Sequence, residues 1–183
     1  MHALHQAIGD VLRSIERPGV QVLLDAACGG QGQQIRLFGD EPVGNSSCLA
    51  WVDAAIIIDG EIKVVLEIEE SNVRPLYLCG KVFATALCNY SSRGGRRVPL
   101  APSMLFIQVI RSPKKRSAKL KQCEYLEKTI NQIFKTLDHR VHCYSFHHGL
   151  PESFQHGSDG EALRSEIAAF IDRPKPSLQL STT

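Results

Sequence analysis

Two apolar runs joined by an Asp-Gly pair dominate the middle of the chain. Residues 52–58 are almost all apolar, and residues 61–69 alternate between polar and apolar side chains. Asp59-Gly60 between such runs predicts a β-hairpin, because Asp and Gly tolerate the positive φ angles of a tight hairpin turn. The first run predicts a central strand that is buried on both faces. One acid, Asp53, lies inside it.

The pattern around the hairpin alternates between helical and extended periods. Apolar residues that repeat every three to four positions predict helices over residues 2–17, 75–90, 113–137 and 159–172. Short apolar runs predict strands over residues 33–38, 104–110 and 141–146, whereas residues 20–27 fit a strand or a short helix and residues 91–102 a basic loop. This order predicts an α/β fold, in which helices flank a mixed β-sheet that joins the antiparallel hairpin to parallel strands.

The length and composition of the chain predict a single globular domain. Its 183 residues, 43% of them hydrophobic, are enough to bury a sizeable core over residues 1–172. Residues 173–183 contain two prolines and several small polar side chains, which predicts a disordered C-terminal tail. No apolar run is long enough to span a membrane and no signal peptide precedes the first helix, so we expect a cytoplasmic protein with reduced cysteines and no membrane partner.

Charged residues are distributed unevenly along the chain. The net charge is only +2, but nine lysines and arginines fall within residues 93–121, whereas acids gather in residues 40–70. We therefore expect an acidic centre beside a basic rim. The rim predicts phosphate contacts that do not depend on base sequence, and its candidates are Arg93, Arg96, Arg97, Lys114, Lys115 and Arg116. A solvated loop and a solvated helix start are equally supported alternatives.

Three acids of the hairpin predict a metal site. Asp53 lies in a buried strand, where an ionised carboxylate costs several kcal/mol unless a charged partner meets it. Glu67 and Glu69 share one face of the next strand. Carboxylate oxygens are ligands that Mg²⁺ prefers. Two close carboxylates also repel each other, so without a metal we expect a raised pKa for at least one of them.

Asp53, thirteen intervening residues and Glu67-Ile68-Glu69 resemble the core motif of the PD-(D/E)XK nuclease superfamily. The predicted order of elements over residues 1–146 resembles the fold of the same family, which is called restriction-endonuclease-like. The resemblance implies that Asp53, Glu67 and the carbonyl of Ile68 bind Mg²⁺, or Mn²⁺ in its place. It also implies hydrolysis of DNA phosphodiester bonds. Many nucleases of this family act as dimers, so the sequence leaves a homodimer open.

The sequence departs from the family motif at two positions. Val52 replaces the proline, at a position that often differs within the family. Glu69 replaces the lysine that handles the attacking water, although a minority of restriction enzymes carry Glu-x-Glu there and remain active. A lysine from another position can take this role, and the candidates are Lys63 and, as the preferred choice, Lys81 in the following helix. Glu16 is a candidate accessory acid, because the first helix of the family fold sometimes contributes one.

The register of the hairpin decides whether Asp53 and Glu67 can share a metal. A regular hairpin with a two-residue turn at Asp59-Gly60 would place Asp53 opposite Leu66, on the other face of the sheet from Glu67. One extra residue in the hairpin corrects this mismatch. The metal-site hypothesis therefore predicts a three-residue turn with a bulge at Gly60, or a bulge elsewhere in the hairpin.

The sequence also supports three alternatives to a nuclease site. A chain of this fold could keep its acids without turnover and act as a nucleic-acid-binding or protein-interaction module. An unrelated α/β domain could carry the glutamates on a solvated strand face. The histidines within residues 139–156 could bind zinc with Cys143, although His142 and Cys143 are adjacent and should point to opposite faces of a strand.

Overall fold

The computed structural model describes residues 2–32, 34–40, 47–71, 74–112, 118–137 and 140–173. Within these ranges the chain forms five helices, α1 (Ala3–Arg13), α2 (Pro75–Ala86), α3 (Ala118–Thr136), α4 (Pro151–His156) and α5 (Ser158–Ile171). It also forms eight strands, β1 (Val20–Leu24), β2 (Ile35–Phe38), β3 (Cys48–Val52), β4 (Ala54–Ile58), β5 (Glu61–Glu69), β6 (Tyr90–Arg93), β7 (Arg96–Arg111) and β8 (Val141–Gly149). The predicted α/β architecture, a mixed sheet flanked by helices, is confirmed.

The strands form one mixed sheet with two parts. The main sheet contains β1, β4, β5, β7 and β8 in that order, with antiparallel β1–β4 and β4–β5 pairs and parallel β5–β7 and β7–β8 pairs. The second sheet contains β3, β2, β6 and the start of β7, and all of its pairs are antiparallel. The long strand β7 joins the two, because residues 96–99 pair with β6 and later residues pair with β5 and β8.

Asp53 is the single residue between β3 and β4, and the chain changes sheets there. β3 pairs with β2 in the second sheet, whereas β4 pairs with β1 and β5 in the main sheet. The apolar run predicted as one continuous strand is therefore two strands with a bend at the acid. The bend places Asp53 at the start of β4, beside the C-terminal end of β5.

The hairpin between β4 and β5 has a two-residue turn and a bulge farther along. Asp59 and Gly60 have φ angles of 54° and 82°, the two positive values that a type I′ turn requires. Ile57 pairs with Ile62 but Ile56 pairs with Val64, so Lys63 is the extra residue. The predicted three-residue turn is wrong, and the alternative prediction, a bulge elsewhere in the hairpin, is confirmed.

This bulge determines which residues face each other at the far end of the hairpin. Beyond Lys63 the pairs are Ile56–Val64, Ala55–Val65 and Ala54–Leu66. The next position in this register sets Asp53 opposite Glu67 rather than opposite Leu66. The two acids therefore lie on the same face of the sheet.

Apolar side chains cover both faces of the main sheet. Leu66 belongs to a core cluster that includes residues of α1 and α5, and Val65 belongs to a second cluster that includes residues of α2 and α3. Each fully buried side chain of this size contributes about 1.5–3 kcal/mol to stability. Because side chains alternate along a strand, Glu67 lies on the same face as Val65, below α2 and α3.

Two regions differ from the sequence-based prediction. The predicted loop over residues 91–102 is wrong, since β6 and β7 form a hairpin around Gly94-Gly95, whose φ angles of 52° and 76° suit a tight turn. Helix α2 ends at Ala86 instead of continuing to residue 90, and the short helix α4 was not predicted. The errors at the β6–β7 hairpin and at α4 come from reading glycine and proline as loop signals where they form a hairpin turn and a helix start.

Some predicted features lie outside the described residues. These are Lys114, Lys115 and Arg116 of the basic rim and residues 174–183 of the predicted tail. Among the described helices, none has the length and apolar character needed to cross a membrane. All six cysteines are free thiols.

Candidate functional site

Hydrogen bonds with β5 and with the residue that follows β1 hold Asp53 at the bend. Its backbone N–H donates to the carbonyl of Leu66 at 3.2 Å, and its own carbonyl accepts from the N–H of Asp25 at 2.9 Å. Its carboxylate oxygen Oδ2 accepts from the N–H of Ile68 at 2.7 Å. The side chain is therefore directed toward the C-terminal end of β5, where Glu67 and Glu69 lie.

Glu67 is the most deeply buried acid of the site, with an exposed fraction of 2%. Lys81 approaches from α2, and its Nζ lies 2.6 Å from Glu67 Oε2 and 2.7 Å from Glu69 Oε1. The prediction that Lys81 points back at the acids is confirmed. A single ammonium therefore joins the two glutamates, and the solvated-face alternative is wrong for Glu67.

Buried hydrogen bonds beside the acids hold the helix that carries Lys81. Gln108 pairs with Glu67 across β5 and β7 and is fully buried. Its Nε2 donates to the carbonyl of Leu78 in α2 at 3.2 Å, and its Oε1 accepts from the hydroxyl of Tyr144 at 2.6 Å. Pro75 at the first helical position suits the start of α2. The position of Lys81 is thus fixed through Leu78, one turn before it.

The environment raises the pKa of both buried acids. Burial raises the pKa of Glu67 to about 8, and the nearby Asp53 adds to the effect, although Lys81 opposes it. Burial also raises the pKa of Asp53, against the hydrogen bond from the Ile68 N–H. For Lys81 burial acts downward, but the charges of Glu67 and Glu69 outweigh it and raise its pKa, so the ammonium keeps its proton. The predicted raised pKa of at least one acid is confirmed.

The free oxygens at this site fit a divalent cation. The contacts above use Oδ2 of Asp53 and Oε2 of Glu67. No hydrogen bond from a described residue uses Oδ1 of Asp53 or Oε1 of Glu67. Carboxylate and carbonyl oxygens suit Mg²⁺ or Mn²⁺. A metal cation in addition to the Lys81 ammonium would also lower the free-energy cost of ionising Asp53 and Glu67 next to each other. The donor set is therefore suitable for a hard metal ion.

His5 and Glu70 extend the site on the side of α1, and sequence reasoning missed them. Glu70 Oε1 accepts from the backbone N–H of Leu4 at 3.0 Å and of His5 at 3.3 Å, and lies 3.0 Å from His5 Nδ1. His5 Nε2 is 3.8 Å from Asp53 Oδ2. The only available signal was a histidine next to an apolar helix stripe. Glu70 thus acts as the anion at the N-terminus of α1.

His2 joins these two residues in a second group of potential metal ligands. One ligand atom from each of His2, His5 and Glu70 lies within 4.8 Å of the others. Imidazole nitrogens with one carboxylate suit zinc or another transition metal more than Mg²⁺. Because Glu70 already caps α1 and contacts His5, this geometry has a structural explanation without a metal.

Two accessory candidates lie away from the acids. Glu16 is exposed, beyond the end of α1, and lines a cavity of about 370 Å³ with Arg13 and Arg93. Asp53, Glu67 and Glu69 do not line this cavity. Lys63 is the bulged residue near the turn, four residues from Glu67, or about 13 Å along a strand. Of the two lysine candidates, the structure brings only Lys81 to the acids.

The arginines of the predicted rim lie on the β6–β7 hairpin. Arg96 and Arg97 are exposed, and the Arg97 guanidinium lies 4.2 Å from the centre of the Tyr90 ring. Arg93 lines the cavity beside Glu16 and a neighbouring cavity of about 470 Å³ that also includes Arg36. The hairpin therefore groups basic residues on the second sheet. Asp53 lies where the chain passes from that sheet to the main sheet.

The histidines near the C-terminus do not gather into a zinc site among the described residues. His147 Nε2 lies 2.5 Å from Glu166 Oε2, and His148 Nδ1 lies 3.1 Å from the Ser112 hydroxyl. Among the described residues, the one group of three or more His, Cys, Asp or Glu side chains whose ligand atoms lie within 4.8 Å of one another is His2, His5 and Glu70, which includes none of these histidines. These histidines have separate hydrogen-bond partners instead.

Comparison with known proteins identifies no family for this chain. No protein-family model, curated protein or solved structure matches it. Functional inference therefore depends on the order of the elements and on the geometry of Asp53, Glu67, Glu69 and Lys81.

Proposed function

We propose that this protein is a metal-dependent nuclease that hydrolyses DNA phosphodiester bonds at a site resembling that of the PD-(D/E)XK superfamily. One observation carries the proposal. Asp53, directly before β4, shares a face with Glu67 of β5 by the register of the hairpin, and Lys81 contacts both Glu67 and Glu69 from the following helix. Buried acids with raised pKa values beside a specific charge partner are typical of functional sites.

The order of elements supports the same proposal. Helix α1, strands β1, β4 and β5, helix α2 and strand β7 follow the helix, three-strand meander, helix and strand of the restriction-endonuclease-like fold. Strands β2 and β3 are inserted between β1 and β4, and β6 between α2 and β7. In this correspondence Asp53, directly before β4, and Glu67 in β5 would take the places of the two family acids.

Asp53, Glu67 and the carbonyl of Ile68 would hold Mg²⁺ or Mn²⁺. When bound, such a metal lowers the pKa of a bound water and neutralises charge that develops on the phosphate. The metal would also favour the ionised form of Glu67, whose proton is otherwise retained near neutral pH. Binding should therefore release a proton from this residue.

Lys81 and Glu69 have different parts in the proposed reaction. Lys81 keeps its proton, so it is suited to bind an oxygen of the scissile phosphate rather than to act as a base. Glu69 has a more exposed side chain than Glu67, 22% against 2%, and can accept a proton from the attacking water. The water oxygen then bonds to phosphorus while the P–O bond to the leaving nucleotide breaks, and the leaving oxygen takes a proton from solvent.

A supercoiled-plasmid nicking assay with Mg²⁺ or Mn²⁺ tests this proposal. Asp53→Asn should abolish metal-dependent nicking, because it removes a charged ligand and keeps the side-chain shape. Asp59→Asn, at the other end of β4, is the matched control and should retain activity, since Asn also suits a type I′ turn. Equal activity of the parent and Asp53→Asn would exclude the site.

A second candidate function is a non-catalytic module of the same fold that binds nucleic acid or a protein. The observation that favours it is the position of Lys81, whose ammonium contacts both Glu67 and Glu69 without a metal. An inactive parent protein that still shows salt-sensitive DNA binding would favour this candidate over the nuclease.

A further inference from the structure

A row of residues crosses the face of the second sheet that points away from the core. Trp51 of β3 pairs with Arg36 of β2, and Ser92 of β6 pairs with Arg97 of β7. Arg36 and Ser92 are neighbours, because the adjacent residues Leu37 and Ser91 pair. The alternate residues Ile35, Leu37, Val52 and Val98 pack with the core cluster under α2 and α3. The row therefore faces outward.

Aromatic rings and guanidinium groups stack in this region. Arg36 Cζ lies 5.2 Å from the centre of the Trp51 ring, and Arg97 Cζ lies 4.2 Å from the centre of the Tyr90 ring. Trp51 is nevertheless 57% exposed. A large aromatic side chain that stays exposed beside a planar cation can stack on a nucleobase, and each base stacked on an aromatic ring contributes about 1–3 kcal/mol to binding.

The charged side chains within the strands of the second sheet are all arginines. The strands β2, β3 and β6 and residues 96–99 of β7 contain four arginines and no acid. A depression of about 470 Å³ on this face brings Arg36 and Arg93 together with Gln34 and Ser92. This combination of positive charge and polar side chains complements a phosphate backbone.

The row ends next to the proposed catalytic site. Trp51 precedes Asp53 by two residues on the strand that changes sheets, a span of about 7 Å. This separation is close to one nucleotide of an extended strand. Trp51 lies on the outer face of β3, the edge strand of the second sheet, so a strand stacked on it would have to pass this edge to reach Asp53.

From these contacts we infer that the outer face of the second sheet binds single-stranded DNA, with Trp51 stacked on a base and Arg36 and Arg97 beside the phosphates. A base in a duplex is stacked on both sides, so Trp51 selects unpaired segments or frayed ends. That this strand is then cleaved at Asp53 and Glu67 rests on the proposed function. The binding itself does not.

The fluorescence of Trp51 tests the inference directly, because this is the only tryptophan in the chain. Oligo(dT) is titrated into the full-length protein in EDTA, so that binding is separated from cleavage. Saturable quenching of Trp51 is expected, with at least about tenfold weaker binding of a blunt duplex of equal length. Unchanged emission at all oligonucleotide concentrations, or equal quenching by the duplex, would overturn the inference.

Substitutions measured by the anisotropy of labelled oligo(dT) complete the test. Trp51→Ala should weaken binding by about tenfold or more, and Trp51→Phe should retain part of the affinity. Arg36→Gln with Arg97→Gln should reduce the salt dependence of binding. Tyr125→Ala removes an aromatic side chain that is 69% exposed on α3 and should change nothing. Equal affinities of Trp51→Ala and the parent would assign the contact to another surface.

The same measurements separate this inference from the proposed function. Asp53→Asn should quench and bind like the parent in EDTA while its nicking activity is lost. Quenching by oligo(dT) in a protein without nicking activity would support the binding face and reject the nuclease. Nicking without any response of Trp51 would do the reverse.

Discussion

Glu67 and Glu166 are two glutamates whose environments shift the carboxyl pKa in opposite directions. Both are shielded from solvent and lie beside a basic side chain, Lys81 for Glu67 and His147 for Glu166. Burial raises the pKa of Glu67, and its partners do not compensate. For Glu166 burial acts in the same direction, but hydrogen bonds from His147 and Ser145 outweigh it and hold its pKa below the ordinary value.

The difference lies in how fully the protein satisfies each charge. Glu166 accepts hydrogen bonds from Ser145 and His147 through one oxygen and its side chain is 32% exposed. Glu67 is 2% exposed, faces Asp53 and contacts a single cation that it shares with Glu69. A structural carboxylate is stabilised in its ionised form, whereas a carboxylate that remains costly to ionise is ready for another cation.

The largest effect is expected when Glu67 is replaced by glutamine, with the same replacement of Glu166 as its control. Glu67→Gln should lower nicking activity by about 10³-fold, because it removes a ligand of the metal that stabilises transition-state charge. Its unfolding free energy at pH 8 should be unchanged or higher, since the buried charge is lost. Plasmid nicking and denaturant unfolding measure the two effects.

Glu166→Gln is the matched control. It should lower the stability and leave the nicking activity unchanged, the opposite of the result expected for Glu67→Gln. We expect full nicking activity and a loss of stability of about 1–2 kcal/mol, because hydrogen bonds to a charged acceptor are weakened. Loss of activity in Glu166→Gln, or a strong loss of stability in Glu67→Gln, would contradict the division between the two glutamates.

Lys81→Met should lower nicking by about 100-fold and lower stability in a pH-dependent way. At pH 9, above the pKa of Glu67, the ionised Glu67 loses its partner, at a cost on the order of 2 kcal/mol after allowance for the one-third exposure of Lys81. At pH 5.5 Glu67 is protonated and the cost should be smaller. Lys63→Met on the same hairpin controls for the loss of a lysine, and a similar loss of activity there would reopen the choice between the lysines.

The raised pKa of Glu67 predicts a slope in stability with pH. The folded state holds a proton on Glu67 up to about pH 8 that the unfolded chain releases near the ordinary pKa of 4.5. The unfolding free energy of the metal-free protein should therefore fall as the pH rises between these values, by up to about 1.4 kcal/mol per pH unit. Denaturant unfolding in EDTA measures the slope. The unfolding free energy of Glu67→Gln should depend less on pH than that of the parent.

Metal binding should depend on the same proton. Affinity for Mg²⁺ or Mn²⁺ should rise with pH toward about 8, because the proton on Glu67 competes with the metal. Calorimetry in buffers of different ionisation enthalpy counts the protons that are released. Glu70 and Glu166, whose pKa values are lowered, titrate below this window and should not contribute.

The smallest effect is expected at Glu70, which resembles Glu166 rather than Glu67. Burial acts to raise the pKa of Glu70, but hydrogen bonds from His5 and from the N–H of Leu4 lower it. Glu70→Ala should cost about 1 kcal/mol, the usual contribution of an anion that caps a helix. Asp10→Ala, which removes an exposed salt bridge to Arg13, should cost less than about 0.5 kcal/mol. Equal losses of stability would contradict the capping role.

Much of the fold was predictable because its elements have strong local patterns. The alternation in β5, the Asp59-Gly60 turn and the helical stripes predicted the hairpin and four of the helices. The β6–β7 hairpin was missed because Gly94-Gly95 lies among arginines and prolines, a composition that is also typical of a solvated loop. The preference for Lys81 was predictable because this residue lies one to two turns into the helix that follows the acids.

The position of Asp53 relative to Glu67 was not predictable from the strands alone. It depends on the bulge at Lys63, and no local residue preference distinguishes that position from its neighbours. His5 was also missed, because its partners Glu70 and Asp53 lie more than 45 positions away in the chain. Such contacts form only when α1 packs across the end of the main sheet.

The sequence by itself determined the α/β class, the hairpin and the identity of the acids, because hydrophobic period and turn chemistry act over a few residues. Only the tertiary structure decided that Asp53 faces Glu67, that Lys81 joins Glu67 and Glu69, and that Trp51 leads a row of arginines to the site. These relations depend on a one-residue bulge and on a strand that changes sheets. Both are consequences of packing the whole chain, since a shift of one residue moves every side chain of a strand to the other face.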